Sequence, residues 1–131
     1  MKNIAFVVLL SLFTSYAKSQ IPTRIDTSKS PIKRFPVFPG GTDKLNEYLQ
    51  NNLKYPKNAL KNHTEGTVYV RFYVEVDGTI TNIKVEGSLS TETNAEALRL
   101  VKKFPKWIPA LMHNGYPVRF GCLQPIVFKL N

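Results

Sequence analysis

Cys122, His63 and His113 are the side chains in this 131-residue chain best suited to nucleophilic or metal chemistry. Cys122 beside His113 would be a thiol nucleophile next to its base. The spacing lends that pair little support. Both histidines fall in expected turns, and neither belongs to an HxxH, HExxH or paired-cysteine pattern that would gather a zinc ion. Cys122 also shares its parity with the apolar residues of the last strand. That points the thiol into the core, where a free cysteine behaves as a small apolar side chain. No GxSxG element, phosphate loop or paired-carboxylate cluster is present. Asn62-His63-Thr64 fits a glycosylation sequon, a triplet common by chance. Neither catalysis, nor a cofactor, nor a metal is expected.

The chemistry that remains belongs to the backbone. Residues 116–130 read as one last strand, with Val118, Phe120, Cys122, Ile126, Phe128 and Leu130 on one parity. Pro125 interrupts its ladder donors and Gly121 loosens it, and a proline inside a strand marks a sheet edge or a bulge. An edge leaves a row of N–H and C=O groups with which an extended peptide can pair. The competing reading is an ordinary edge on which Pro125 and Lys129 discourage pairing. The residues alone do not choose between the two.

The elements that must position this edge follow from periodicity. Val68, Val70, Phe72, Val74 and Val76 alternate with Thr67, Tyr69, Arg71, Tyr73 and Glu75, the period of a half-buried strand. Asp77-Gly78 offers the positive-φ pair of a two-residue hairpin turn. A second strand over 79–86 carries Ile80, Ile83 and Val85, and the slip in phase between Ile80 and Ile83 predicts a bulge or a twisted start. Thr42 can cap a helix over 43–52 with Leu45, Tyr48 and Leu49 on its apolar face. Pro56 starts a short helical turn containing Ala59 and Leu60. Thr93 or Asn94 can cap a further helix that buries Ala97, Leu98, Val101 and Phe104, turns Glu96, Arg99, Lys102 and Lys103 to water, and ends at Pro105. Trp107 is expected in the core with a partner for its indole N–H. The result is an α+β, two-layer α-β-β-α-β domain. Its three-stranded antiparallel sheet has helices on one face, the first strand central and the last at an edge.

Residues 1–19 read as a secretory signal: Lys2, an apolar run from Ile4 to Phe13 broken by Ser11, then Ala17-Lys18-Ser19 before cleavage at Gln20. An uncleaved anchor is the rival, but the run falls short of the roughly 20 apolar residues that a spanning helix needs. With no second hydrophobic segment, the mature chain is expected to be soluble, without stable membrane insertion. Residues 20–37, rich in Ser, Thr, Pro and Lys, read as a flexible lead-in, and the domain is placed at 38–131. The net charge of +9 falls to +7 when Lys2 and Lys18 leave with the signal. That balance favours acidic partners or anionic surfaces. Export argues against nucleic acid, and the scatter of the basic residues is that of a solvated surface.

The ordered set Tyr55-Pro56, Ala59, Glu65-Gly66, Asp77-Gly78, Ala97 and Trp107-x-Pro109 resembles the C-terminal domain of TonB. Phe38-Pro39-Gly40-Gly41 and Asn114-Gly115-x-Pro117-Val118 resemble a subgroup found in Bacteroidota-type envelopes, and the likeness spans about 38–130. The resemblance implies a non-enzymatic periplasmic domain that couples inner-membrane energy to outer-membrane transporters. In the family, the final strand receives a short transporter peptide as an added strand. Carried over, Ile126, Val127, Phe128 and Lys129 would supply the backbone bonds, with Val127 and Lys129 on the parity facing guest or solvent. Tyr55 and Pro56 would lie close to the docked peptide; a purely structural corner is the alternative. TonB itself carries a membrane helix and a long proline-rich spacer, whereas residues 20–37 reach at most roughly 60 Å. A neighbouring protein would then provide anchoring, or the chain would act as a soluble adaptor or competitor. A self-associating envelope protein, a homodimer paired through the same edge, is the other functional reading.

Overall fold

Val68, Val70, Phe72 and Val74 are fully buried and set the middle of the molecule, as their alternation dictates. A computed structural model describes residues 30–131; the expected export signal lies outside the described residues. The strand that carries the four, β2 (Gly66–Val74), lies between β3 (Ile80–Gly87) and β6 (Phe120–Phe128), both antiparallel to it. Against one face of this sheet pack α1 (Thr42–Asn52), α2 (Lys57–Lys61) and α3 (Thr91–Lys102). The α+β layering, the central first strand of the hairpin and the last strand at the edge are those expected. A second small antiparallel sheet was not anticipated. It joins β1 (Ile32–Arg34), β4 (Ala110–Met112) and β5 (Pro117–Val118) in the order β1-β4-β5.

That small sheet changes two expectations. Residues 32–37 are not a free lead-in: Ile32 and Arg34 pair with β4, Pro36 is fully buried, and Val37 exchanges backbone bonds with Ile108. The single strand expected over 116–130 is instead two. Val118 ends β5 against Ala110, and only from Phe120 does the chain run beside β2. The hairpin turn also differs. Glu75 and Thr79 are bonded across a three-residue loop, Val76-Asp77-Gly78, in which Gly78 alone takes a positive φ, of 90°. This is the type I turn closed by a left-handed residue. Asp77 Oδ1 fixes it by accepting from the Thr79 N–H. Gly78 is obligatory for a second reason: a Cβ there would lie 2.3 Å from the Trp107 carbonyl oxygen, and Trp107 N–H donates to Gly78 O. The Asp-Gly turn and the Trp-x-Pro corner are thus one packed unit.

The bulge expected in β3 is present. The register slips between Arg71 and Tyr73, where Asn82 takes φ 50°, and slips again between Tyr69 and Val70. The helix caps lie earlier than expected. Gly41, not Thr42, occupies the cap position of α1. Ser90 caps α3 in a capping box with Thr93, while Asn94 bonds back to Leu89 and Ser88. The core closes with Phe38, Tyr48, Phe72, Phe104 and Trp107, whose neighbouring rings meet at centroid distances of 5.4–5.8 Å. Trp107 is buried, but its Nε1 finds no acceptor among the described residues, contrary to expectation.

Candidate functional site: the free edge of the sheet

A three-stranded sheet has two edges, and here they differ. β3 is bulged twice, which twists an edge away from further pairing. β6 faces β2 through nine consecutive register pairs, from Gly66 with Phe128 to Val74 with Phe120, without a slip. Pro125 does not interrupt this ladder, and the reason is geometric. It stands opposite Tyr69. A residue without an N–H can hold that place only where the pair exchanges no hydrogen bonds, so the bonded pairs fall at Val68 with Ile126 and Val70 with Gln124. The odd-numbered residues of β6 therefore turn their backbone groups outward. Leu123 and Val127 offer both N–H and C=O to the free edge, and Pro125 offers C=O alone.

Alongside this edge runs a cleft of about 260 Å³. Leu49, Gln50 and Leu53 line it from α1 and its exit, Leu100 from α3, and residues 124–127 from β6. Its α1 wall is tied to α3 by a partly buried ion pair. Glu96, expected in water, is only 9% exposed. Its carboxylate accepts two bonds from Arg99, each 2.7 Å, and one of 2.7 Å from Lys54 N–H. Arg99 also donates to Asn52 O, and Tyr48 O–H donates to Leu100 O at 2.9 Å. Glu96 turns inward because the end of α1 leaves backbone groups that its carboxylate and its arginine can satisfy. Burial pushes the Glu96 carboxyl up, but the bonds from Arg99 and Lys54 outweigh it and hold the group below the ordinary carboxylate range.

The structure divides the residues expected to bind a partner. Ile126 and Val127 line the cleft; Ile126 faces the core and is buried, while Val127 is 56% exposed. Phe128 is buried, and Tyr55 packs edge-on against it at 5.6 Å, its hydroxyl donating to Thr64 O. Pro56, half-buried, takes the cap position of α2. Lys129 is exposed just past β6, where Leu130 N–H donates to Glu65 at 2.6 Å. Tyr55 and Pro56 thus sit beside the end of β6, outside the cleft lining. Gln124 and the α1 wall were missed. The signal for Gln124 was in the sequence: it is the polar residue on the core parity between Cys122 and Ile126.

Among the described residues no group of three or more His, Cys, Asp or Glu could hold a metal ion, and no helix is long and apolar enough to cross a membrane. Cys122 is buried, and burial pushes its thiol up to about 12, which leaves it protonated and a poor nucleophile at neutral pH. The fold and the open edge define a small α+β domain with one regular, unpaired sheet border. Residues 51–130 match the sequence model of the family described as the Gram-negative bacterial TonB protein C-terminal, and the chain belongs to that family. Two solution structures of the TonB C-terminal domain of Helicobacter pylori are similar to it. The longer is 25% identical with a TM-score of 0.51, covering 71% of this chain and 87% of that one. The shorter is 27% identical with a TM-score of 0.50, covering 66% and 90%. No curated protein matches the chain.

Proposed function

We propose that the protein is a periplasmic TonB-like interaction domain. It binds an extended peptide of an outer-membrane transporter by adding that peptide as a strand to β6, within energy-coupled transport across the cell envelope. The observation that carries this reading is the asymmetry of the two sheet edges. One is bulged twice; the other is regular, nine residues long and bordered by an apolar cleft. Backbone groups of Leu123 and Val127 give affinity to any extended chain, and alternate guest side chains fall towards the cleft wall. The family supports the transporter as the source of that chain. Tyr55 and Pro56 flank the end of β6, and Lys129 stands exposed where a guest strand would pass it.

Titrating isotope-labelled protein with synthetic peptides copied from the periplasm-facing N-termini of the source organism's outer-membrane transporters tests the reading. Amide shifts concentrated at Leu123 and at 126–129 are expected. No shift at millimolar peptide would overturn it. A mass that doubles with protein concentration in the absence of peptide would assign the same edge to a second copy of the chain instead.

A further inference from the structure

Gln124 is the one element of the cleft that fold stability does not account for. It is 1% exposed in a cleft lined mainly by apolar side chains, with Asn46 and Gln50 the other polar ones, and its Oε1 has no partner among the described residues. Leucine at this place would fill the same space without stranding an acceptor. The carboxamide is instead held at the border of the sheet: Nε2 donates to the Pro125 carbonyl oxygen at 3.0 Å. One hydrogen of Nε2 makes that bond; the other, and both lone pairs of Oε1, are uncommitted.

Pro125 is where the free edge is deficient. A strand laid along β6 receives N–H donors from Leu123 and Val127 but none from Pro125 between them. The guest carbonyl facing Pro125 would be buried against the cleft unbonded, and an unbonded buried carbonyl is costly. The geometry points to Gln124 as a specificity-determining residue whose side-chain carboxamide stands in for the backbone N–H that Pro125 lacks, completing the ladder to the added peptide. The guest N–H at that position bonds Pro125 O, and the free hydrogen of Nε2 meets the guest carbonyl. Oε1, closed to solvent in the free protein, comes within reach as the guest seats and the carboxamide turns towards it, and then accepts from a donor on the guest side chain that enters the cleft. The site accordingly favours a guest residue with an apolar stem and a polar hydrogen, such as threonine, glutamine or tyrosine, over a purely aliphatic one. The inference rests on strand addition at β6 and adds to it which residue reads the guest.

The test uses Gln124→Leu, alone and combined with Pro125→Val, which restores a backbone N–H at the free edge. The probe is whichever transporter peptide shifts Val127 in the unaltered protein. Gln124→Leu is expected to melt at the same temperature or higher, yet to bind that peptide about fivefold more weakly, the worth of one net hydrogen bond. The double variant is expected to regain most of the loss. In the unaltered protein the side-chain amide pair of Gln124 should shift together with Val127. Unchanged affinity in Gln124→Leu, with Leu123 and Val127 still shifting, overturns the role of Gln124 and leaves strand addition standing. A lowered melting temperature without rescue by Pro125→Val makes Gln124 structural and overturns it likewise. No shift at Val127 with any peptide overturns both.

Discussion

Glu96 illustrates how a charged residue can be drawn into a core by backbone groups left at a helix end. The sequence placed it on the wet face of α3; three hydrogen bonds turn it against the exit of α1 instead. Removing the charge should be felt. Glu96→Gln is expected to cost about 1–3 kcal/mol in denaturant melts at neutral pH. Because the folded carboxyl titrates below its ordinary value of 4.5, its contribution is complete above that value and is lost as pH falls through the lower, folded one. The gap between Glu96→Gln and the unaltered protein should therefore narrow as the pH falls below 4.5 and close once it has passed the lower, folded value. Cys122 gives a second residue-scale test. Buried and protonated, it should resist alkylation in the native protein and react once denaturant opens the core, so that the alkylation rate reports unfolding.

At the scale of elements, two glycines with the same φ separate conformational strain from crowding. Gly41 and Gly78 both take φ 90°, but a Cβ at Gly41 meets nothing within 4 Å, whereas one at Gly78 strikes the Trp107 carbonyl. Gly41→Ala is expected to cost about 1 kcal/mol and Gly78→Ala at least about 2, read from thermal or denaturant unfolding. The β6 edge predicts a second contrast. Val127→Pro removes an outward N–H and leaves the ladder to β2 intact, so stability should hold within about 1 kcal/mol while peptide binding falls several-fold. The hairpin and the apolar faces of the helices were legible because each is written in local periodicity, and the edge position of the last strand because Pro125 stands within it. What was not legible depended on distant partners. The split at Arg119 and the strand at 32–34 arise because Ile32 and Val118 lie on either side of the strand at 110–112. Gln124 was visible as a polar break in an apolar parity, but its meaning required the cleft and the proline beside it.

For the molecule as a whole, the two sides of β2 are not equivalent. On one side the pairing with β3 is broken twice; on the other nine register pairs run without interruption, and Leu130 beyond them is tied to Glu65. The difference becomes a mechanical one when a bound peptide is under tension. A pull directed along β6 loads its hydrogen bonds side by side, in shear, so that they must fail together. A pull on β3 meets short runs separated by bulges, which can peel in turn. Pulled by handles at the ends of β3, the domain is expected to open that pairing at lower force than the β2–β6 seam opens when handles pull along β6. Its toughest seam lies directly behind the open border of the sheet.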